Sequence, residues 1–167
     1  ASDRMLVFMP FSDATTRALS LFQSINTGCV LYYGEELEKL HQNLTHVQPT
    51  IIYSSPILWE RFESVIRVKL GTASPDVLSA GVKDKLRTFI GCREARFAFS
   101  GAVAIHSRTL NFYAALGLRI RNIYAKGALT GVCSIDLGTE GRTPGSCGTL
   151  LPGIQARVTA GVLEISG

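Results

Sequence analysis

Along residues 5–126, short unbroken apolar runs alternate with longer stretches whose apolar residues recur every third or fourth position. A short apolar run closed by turn formers reads as a buried strand, and the wider spacing reads as one face of a helix. "MLVFMP" predicts a strand closed by Pro10. "SDATTRALSLFQSINTG" predicts a helix, with Ser12 or Asp13 capping its start and Gly28 its end. Ala18, Leu21, Phe22 and Ile25 are spaced to form its apolar face. "CVLYYG" predicts a second strand. "EELEKLHQNLTHV" predicts a second helix, with Leu37, Leu40, Leu44 and Val47 on one side and acidic residues in the first turn, where the dipole favours them.

"PTIIYSS" predicts a third strand. Pro56 then opens the helix "PILWERFESVIRVKL", with an apolar face at Ile57, Phe62, Val65 and Ile66. "SPDVLSAGVKDKLRTFIG" reads as another helix, weakened by Gly81. "ARFAFSG" reads as a strand, "SRTLNFYAALG" as a helix ending at Gly117, and "LRIRNIY" as a strand. This repeating order predicts an α/β fold with a mainly parallel sheet flanked by helices.

After Ala125 the texture changes. "KGALTGVCSIDLGTEGRTPGSCGTLLPG" is rich in Gly, Thr, Ser and Pro and reads as loop. "IQARVTAGVLEISG" predicts two short strands joined by a tight turn at Ala160–Gly161, a short antiparallel β element at the C-terminal end. The expected organisation is an α/β subdomain over residues 1–126, a loop over 127–145 and the start of a β-rich element over 146–167. The chain starts and stops abruptly on apparent core strands, which predicts a piece of something longer.

Composition narrows the partners more than the fold. With 167 residues, 46% hydrophobic and 18% charged, the chain suits one globular domain with a real core. Its net charge of +4 is spread thinly. The densest basic stretch, "VKDKLRTFIGCREAR", is broken by Asp84 and Glu94 and reads as a solvated helix face, so no nucleic-acid partner is predicted. Cys29, Cys92, Cys133 and Cys147 show neither C-x-x-C nor metal-ligand spacing, so no metal site is predicted. Cys29 reads as a small buried hydrophobe, and the other three precede or lie in turns. A disulfide framework is not expected, which points to a reducing, cytoplasmic compartment. No stretch approaches the roughly 18 to 20 apolar residues of a transmembrane segment. Membrane association of a longer parent stays open.

Candidate chemistry is sparse. His41 and His46 lie five positions apart and share no helix face, and His41 reads as a helix-surface residue. His106 sits near a helix start and reads as a capping or exposed residue. There is no G-x-S-x-G, G-x-x-x-x-G-K-[ST] or G-x-G-x-x-G, hence no predicted catalytic residue or phosphate cradle. Two strand ends remain. In open α/β sheets, ligands bind just past the C-terminal ends of strands. "FAFSGA" puts Ser100 and Gly101 at one such end, where bare backbone can meet a planar ligand. "IRNIYA" puts Tyr124 at another, where a ring can stack on it. Equally, the first is a plain βα turn and the second a core aromatic with its hydroxyl at the surface. They are two lips of one crevice if their strands are adjacent.

The order of segments resembles the middle of the large N-terminal domain of adenylate-forming (AMP-binding) acyl-CoA synthetases, most closely the long-chain fatty acyl-CoA ligase branch. "FMPFSD" is similar to the family's L-P-L-x-H, with Asp13 in place of the histidine. "THVQPTIIYSSPILWERF" resembles V-x-P-T…V-P-R-V-W-E at Val47, Pro49, Thr50, Pro56, Trp59 and Glu60. "FAFSGAVAIHSRTLNFYAALGLRIRNIYAKG" resembles the run from S-G-A-A-P-L to Y-G-x-T-E. "GRTPGSCGTLLPGIQARV" and "GVLEISG" resemble R-x-G-S-V-G-x-P-L-P-G-V-E-V and the G-E-I that follows it.

This resemblance implies a two-step ligation in which ATP and magnesium activate a fatty acid and coenzyme A accepts it. It implies an adenine lip at Ser100, Gly101 and Ala102, a stacking ring at Tyr124, and an acyl pocket near Asp13. It also exposes losses. Ala125, Gly127 and Ala128 stand where the family has Gly, Thr and Glu, Ala104 replaces a proline, and Val162 replaces a glutamate. One missing electrostatic contact of this kind costs roughly 3 to 4 kcal/mol, or about 10² to 10³ in rate. The family's phosphate loop and lysine-bearing domain have no counterpart in these residues, so the chain is expected not to adenylate anything. Two readings stand: a fragment or divergent member of a fatty acid–CoA ligase, and a non-catalytic relative that binds or scaffolds. Apolar surface left by missing neighbours predicts self-association.

Overall fold

The computed structural model describes residues 2–138 and 145–167. Five strands run parallel: β1 (Arg4–Val7), β2 (Val30–Tyr33), β3 (Ile51–Ser54), β4 (Phe97–Ser100) and β5 (Ile120–Lys126). β6 (Gly131–Ile135) and β7 (Thr149–Leu150) extend the sheet antiparallel, giving the order β2-β1-β3-β4-β5-β6-β7. β8 (Gln155–Thr159) and β9 (Val162–Ser166) form a separate hairpin. Its turn residues Ala160 and Gly161 both have positive φ, at 50° and 79°, as a two-residue hairpin turn requires. The α/β architecture read from the sequence is the one observed.

Parallel neighbours need crossovers, and helices supply them. β1 reaches β2 through α1 (Ala14–Arg17), a π-helical turn over Ala18–Phe22, and α2 (Gln23–Thr27). Asp13 caps the start and Gly28, left-handed at φ 70°, ends it. The remaining crossovers use α3 (Leu40–Val47), α4 (Pro56–Leu70), α5 (Ala80–Phe89) and α6 (Ser107–Ala115). Ile52, Ala98 and Ile120 bury one sheet face against Trp59 and Ile66 of α4, Ile90, and Phe112 and Tyr113 of α6. The Tyr113 hydroxyl donates to the Trp59 carbonyl at 2.6 Å inside this core. On the opposite face Met5, Ile51, Tyr53 and Ile123 pack with Cys29 and, at the edge, Leu19.

Several expectations change, among them Leu37, which lies on a 3-10 turn ahead of α3 and is 67% exposed. On the first helix Ala14, Thr15, Thr16 and Ser20 are the buried residues, while Leu21, Phe22 and Ile25 face out. The π turn advances the chain by more residues per hydrogen bond than an α-helix, so a 3.6-residue spacing misplaces the face. On α4 the buried residues are Pro56, Trp59, Glu63 and Ile66, whereas Ile57 and Val65 are exposed. Arg67 makes that arrangement tolerable by donating Nε to the Glu63 carboxylate at 2.7 Å. The stretch 127–145 holds strand β6, and Cys133 lies buried within that strand, not in a turn. Residues 139–144 of that stretch lie outside the described residues. His41 is a tie between helices: its Nε2 lies 2.7 Å from the Phe89 carbonyl oxygen.

Candidate functional site

β4 and β5 are neighbours with Ser100 opposite Asn122, so both strands run to the same rim of the sheet. Beyond Ser100 the chain leaves the sheet through Gly101. A Cβ there would lie 2.7 Å from Ile123 Cγ1 and 3.4 Å from Tyr53 Cε2, so the turn passes only without a side chain. Ala102 follows at φ 77°, a left-handed conformation that costs a non-glycine residue energy and persists only where packing enforces it. Tyr124, half-buried, lies two residues past Asn122 on β5. Between the two strand ends opens a cleft of about 230 Å³ lined by Ala102, Val103, Asn122, Tyr124, Ala125 and Cys147, among others.

The structure thus brings Ala102 and Tyr124 to one cleft. Ser100 lies beneath its floor, 1% exposed, and its Oγ has no hydrogen-bond partner among the described residues. Asp13 is elsewhere. Its Oδ2 accepts from the Thr16 N–H and the Thr16 hydroxyl, both at 2.8 Å, so the carboxylate is engaged as the cap of α1. Its charge also reaches Tyr53. Burial first, and then the Asp13 carboxylate, raise the Tyr53 phenol above its ordinary pKa, against a hydrogen bond with the Thr15 side chain. His106 occupies the N-cap position of α6, exposed and without a side-chain cap bond.

Three residues at this rim escape the sequence reading. Asn122 shares β5 with Tyr124 two positions on, and that strand period was the available signal. Its carboxamide is buried against the cleft. Tyr53 stands at the end of β3, where the strand-end rule applies as well as it does to Tyr124. Cys147 arrives from a distant segment, and nothing local in the sequence marks it. Burial and the Asp136 carboxylate push its thiol up from the usual value.

Gly127 and Ala128, where the resemblance leads one to expect a hydroxyl and a carboxylate, lie on a 3-10 turn, Gly127–Leu129, that follows β5 directly. Gly127 and Ala128 are exposed, and a Cβ at Gly127 would meet nothing within 4 Å. Among the described residues, no carboxylate lines the 230 Å³ cleft. A larger opening, about 810 Å³, lies between Leu19 and Gln23, β6 and the hairpin, next to Cys133, Ile154 and Ile165. Among the described residues no charged side chain lines it; Gln23, Thr130 and Ser166 are its polar side chains beside an otherwise mostly apolar wall.

Residues 1–161 match the family described as AMP-binding enzyme. The chain belongs to that family. A protein of Mycobacterium tuberculosis that carries the name of a fatty-acid–CoA ligase, fadD11, is 25% identical over 191 aligned positions. The alignment takes in 93% of this chain and 33% of that relative, so the chain spans about a third of its length. Solved structures share the fold. The N-terminal domain of FACL13 from M. tuberculosis superposes with a TM-score of 0.70 at 17% identity, over 98% of this chain and 38% of that one. E. coli MenE, solved with bound OSB-AMS, gives 0.69 at 13% identity, over 99% and 30%. Among the described residues, no helix is long and apolar enough to cross a membrane.

Proposed function

We propose that the chain is the central part of the N-terminal domain of a long-chain fatty acid–CoA ligase, one that keeps the adenine half of the nucleotide site and has lost the phosphate and metal half. In such a ligase the fatty carboxylate attacks the α-phosphorus of ATP and expels pyrophosphate. The thiol of coenzyme A then attacks the acyl carbonyl and releases AMP. The observation that carries the reading is the pairing of the small-residue turn Gly101–Ala102 with the Tyr124 ring at one cleft. A flat base fits there: backbone on one side, an aromatic face on the other, and the Asn122 carboxamide able both to donate and to accept.

Magnesium does not fit the described residues of the same cleft. A hard cation takes oxygen ligands, chiefly carboxylates, and among the described residues no carboxylate lines this site. No step through the metal is therefore derived, and the chain as it stands is proposed to form no adenylate. Gly127 and Ala128 favour the second reading as well, a relative that retains the domain for binding or scaffolding.

Cys147 supplies a test independent of turnover, because its thiol lines the cleft beside Tyr124. Adenosine or AMP at millimolar concentration is expected to slow alkylation of Cys147 by iodoacetamide, with magnesium adding nothing. Calorimetry with ATP and magnesium is expected to show nothing tighter than the millimolar range. Metal-dependent protection at micromolar ATP would overturn the loss of the phosphate half. Unprotected Cys147 in saturating adenosine would overturn the adenine half.

A further inference from the structure

We infer that the groove between α4 and the first turn of α6 is a binding site for a soluble phosphate monoester, held by Arg61, Arg67 and Arg108. The three arginines line a cavity of about 340 Å³ together with Glu60, Glu63 and Ser64. It shares no lining residue with the 230 Å³ cleft or the 810 Å³ opening, so the inference stands apart from the nucleotide reading.

Arg61, Ser64 and Arg67 follow one another at three-residue spacing along α4 and so lie on one side of it. Arg108 faces them from the second position of α6. Arg67 is fixed in advance. Its Nε donates to Glu63 Oε1 at 2.7 Å, and its guanidinium lies 4.5 Å from the centre of the Phe112 ring. The Glu63 side chain is 6% exposed but that of Arg67 is 52% exposed, so the two terminal nitrogens remain as an ordered fork. Among the described residues, no hydrogen bond or ion pair engages the guanidinium of Arg61 or Arg108. Two cations thus stand unanswered at one cavity, against the single unpaired carboxylate of Glu60. The start of α6 adds to the same potential, because His106 supplies no side-chain cap and the first N–H groups carry the positive end of the helix dipole.

The number of donors selects the ligand. Forks converging from two helices can meet three oxygens, and a carboxylate has two. A phosphate monoester offers three oxygens and about two negative charges at neutral pH, a match for guanidinium groups in both geometry and charge. The Ser64 hydroxyl already donates to the Glu60 carbonyl at 2.9 Å, which leaves recognition to the arginines. A recess between helices suits a soluble ester better than a lipid headgroup lying in a flat surface.

The test is a titration of the isotope-labelled full chain with methyl phosphate, at constant ionic strength and neutral pH, read on the arginine Nε–H signals. Saturable shifts in the millimolar range are expected, with acetate needing about tenfold more. Arg61→Ala and Arg108→Ala should each weaken binding about tenfold, as the loss of one charged hydrogen bond does. Arg67→Ala would strand a buried carboxylate, so Arg67→Lys is used instead. It keeps a charge for Glu63 but loses the fork, and should weaken binding without unfolding the chain. Glu60→Gln should tighten binding, and Lys85→Ala, an equal loss of charge on α5, should leave it unchanged. Shifts that never saturate, an equal loss in Lys85→Ala, or acetate binding as tightly as methyl phosphate overturns the inference. Arginine-dependent recruitment to phosphatidate vesicles without methyl phosphate binding overturns the soluble ester. Because Cys147 lies at the other cleft, its alkylation should not respond to methyl phosphate, and the nucleotide reading stands or falls separately.

Discussion

Ile123 stands against Gly101 across the β4–β5 boundary, its Cγ1 2.7 Å from where a Cβ on residue 101 would be built. Neither partner can give way easily. Ile123 is 4% exposed within the core that holds Tyr53, and residue 101 is fixed by the strand end before it and the left-handed Ala102 after it. Gly101→Ala is therefore expected to cost about 1 to 3 kcal/mol through overpacking. The urea midpoint should fall with the slope unchanged, and the cleft between β4 and β5 should narrow with it. An unchanged midpoint would mean that the rim yields freely, contrary to the packing described.

Much of the architecture was legible because its signals are local. Pro56 at the first turn and Gly71 past the last fix α4 at Pro56–Leu70, and Asp13 and Gly28 bracket the first crossover helix. The adjacency of Ser100 and Tyr124 strands followed from the crossover order. What was missed depends on partners distant in sequence. β6 reads as loop because "GVCSI" lacks a strong alternating pattern, and it becomes a strand by pairing with β5. The buried Glu63 of α4 is intelligible only with Arg67 and the ring of Phe112, over which the guanidinium lies at 4.5 Å. At the cleft, Ala102 and Tyr124 were visible one by one. Cys147 was not, because it reaches the cleft from a distant segment.

The outward turn of the first helix has a measurable consequence. Leu21, Phe22 and Ile25 are 37%, 52% and 73% exposed, whereas Thr16 and Ser20 are 1% and 0%. Phe22→Ser and Ile25→Ser are expected to change folding stability by less than about 0.5 kcal/mol each, as surface substitutions do. Ser20→Leu, which forces volume into a filled site, should cost about 1 to 3 kcal/mol. Sedimentation velocity should also show less self-association in the double variant Phe22→Ser with Ile25→Ser, since it breaks an exposed apolar patch. A large loss of stability on Phe22→Ser would restore the apolar face read from periodicity.

Acid sensitivity is expected at Asp3. Arg96 Nη2 donates to both of its carboxylate oxygens at 2.5 and 2.6 Å, and the Thr50 hydroxyl donates to Oδ1 at 2.7 Å. These donors, the Arg96 hydrogen bond foremost, hold the carboxyl below its ordinary 3.8. A carboxyl whose pKa is lowered by folding stabilises the folded state above the unfolded pKa, and loses that contribution as pH falls through the folded one. Asp3→Asn is therefore expected to be less stable than wild type near neutral pH. The gap should shrink as pH falls below 3.8, the ordinary value, when followed by urea midpoints. A gap independent of pH would assign the Asp3 contribution to shape, not charge.

The exposed turn after β5 allows the family's Thr and Glu to be introduced without disturbing the fold. A side chain at Gly127 meets nothing within 4 Å, its φ is not in the left-handed range, and Ala128 is exposed beside it. Gly127→Thr with Ala128→Glu should therefore fold normally, within about 0.5 kcal/mol of wild type. Turnover is another matter. A hydroxyl and a carboxylate at the rim stabilise charge only if the rest of the phosphate site is assembled around the same oxygens, because electrostatic catalysis depends on donors held in place together. Residues spanning about a third of a ligase-named relative are proposed not to assemble it. No pyrophosphate release above background is expected from ATP, magnesium and palmitate with the double variant. Acyl-adenylate detected by mass spectrometry would show instead that these two side chains were all the site lacked.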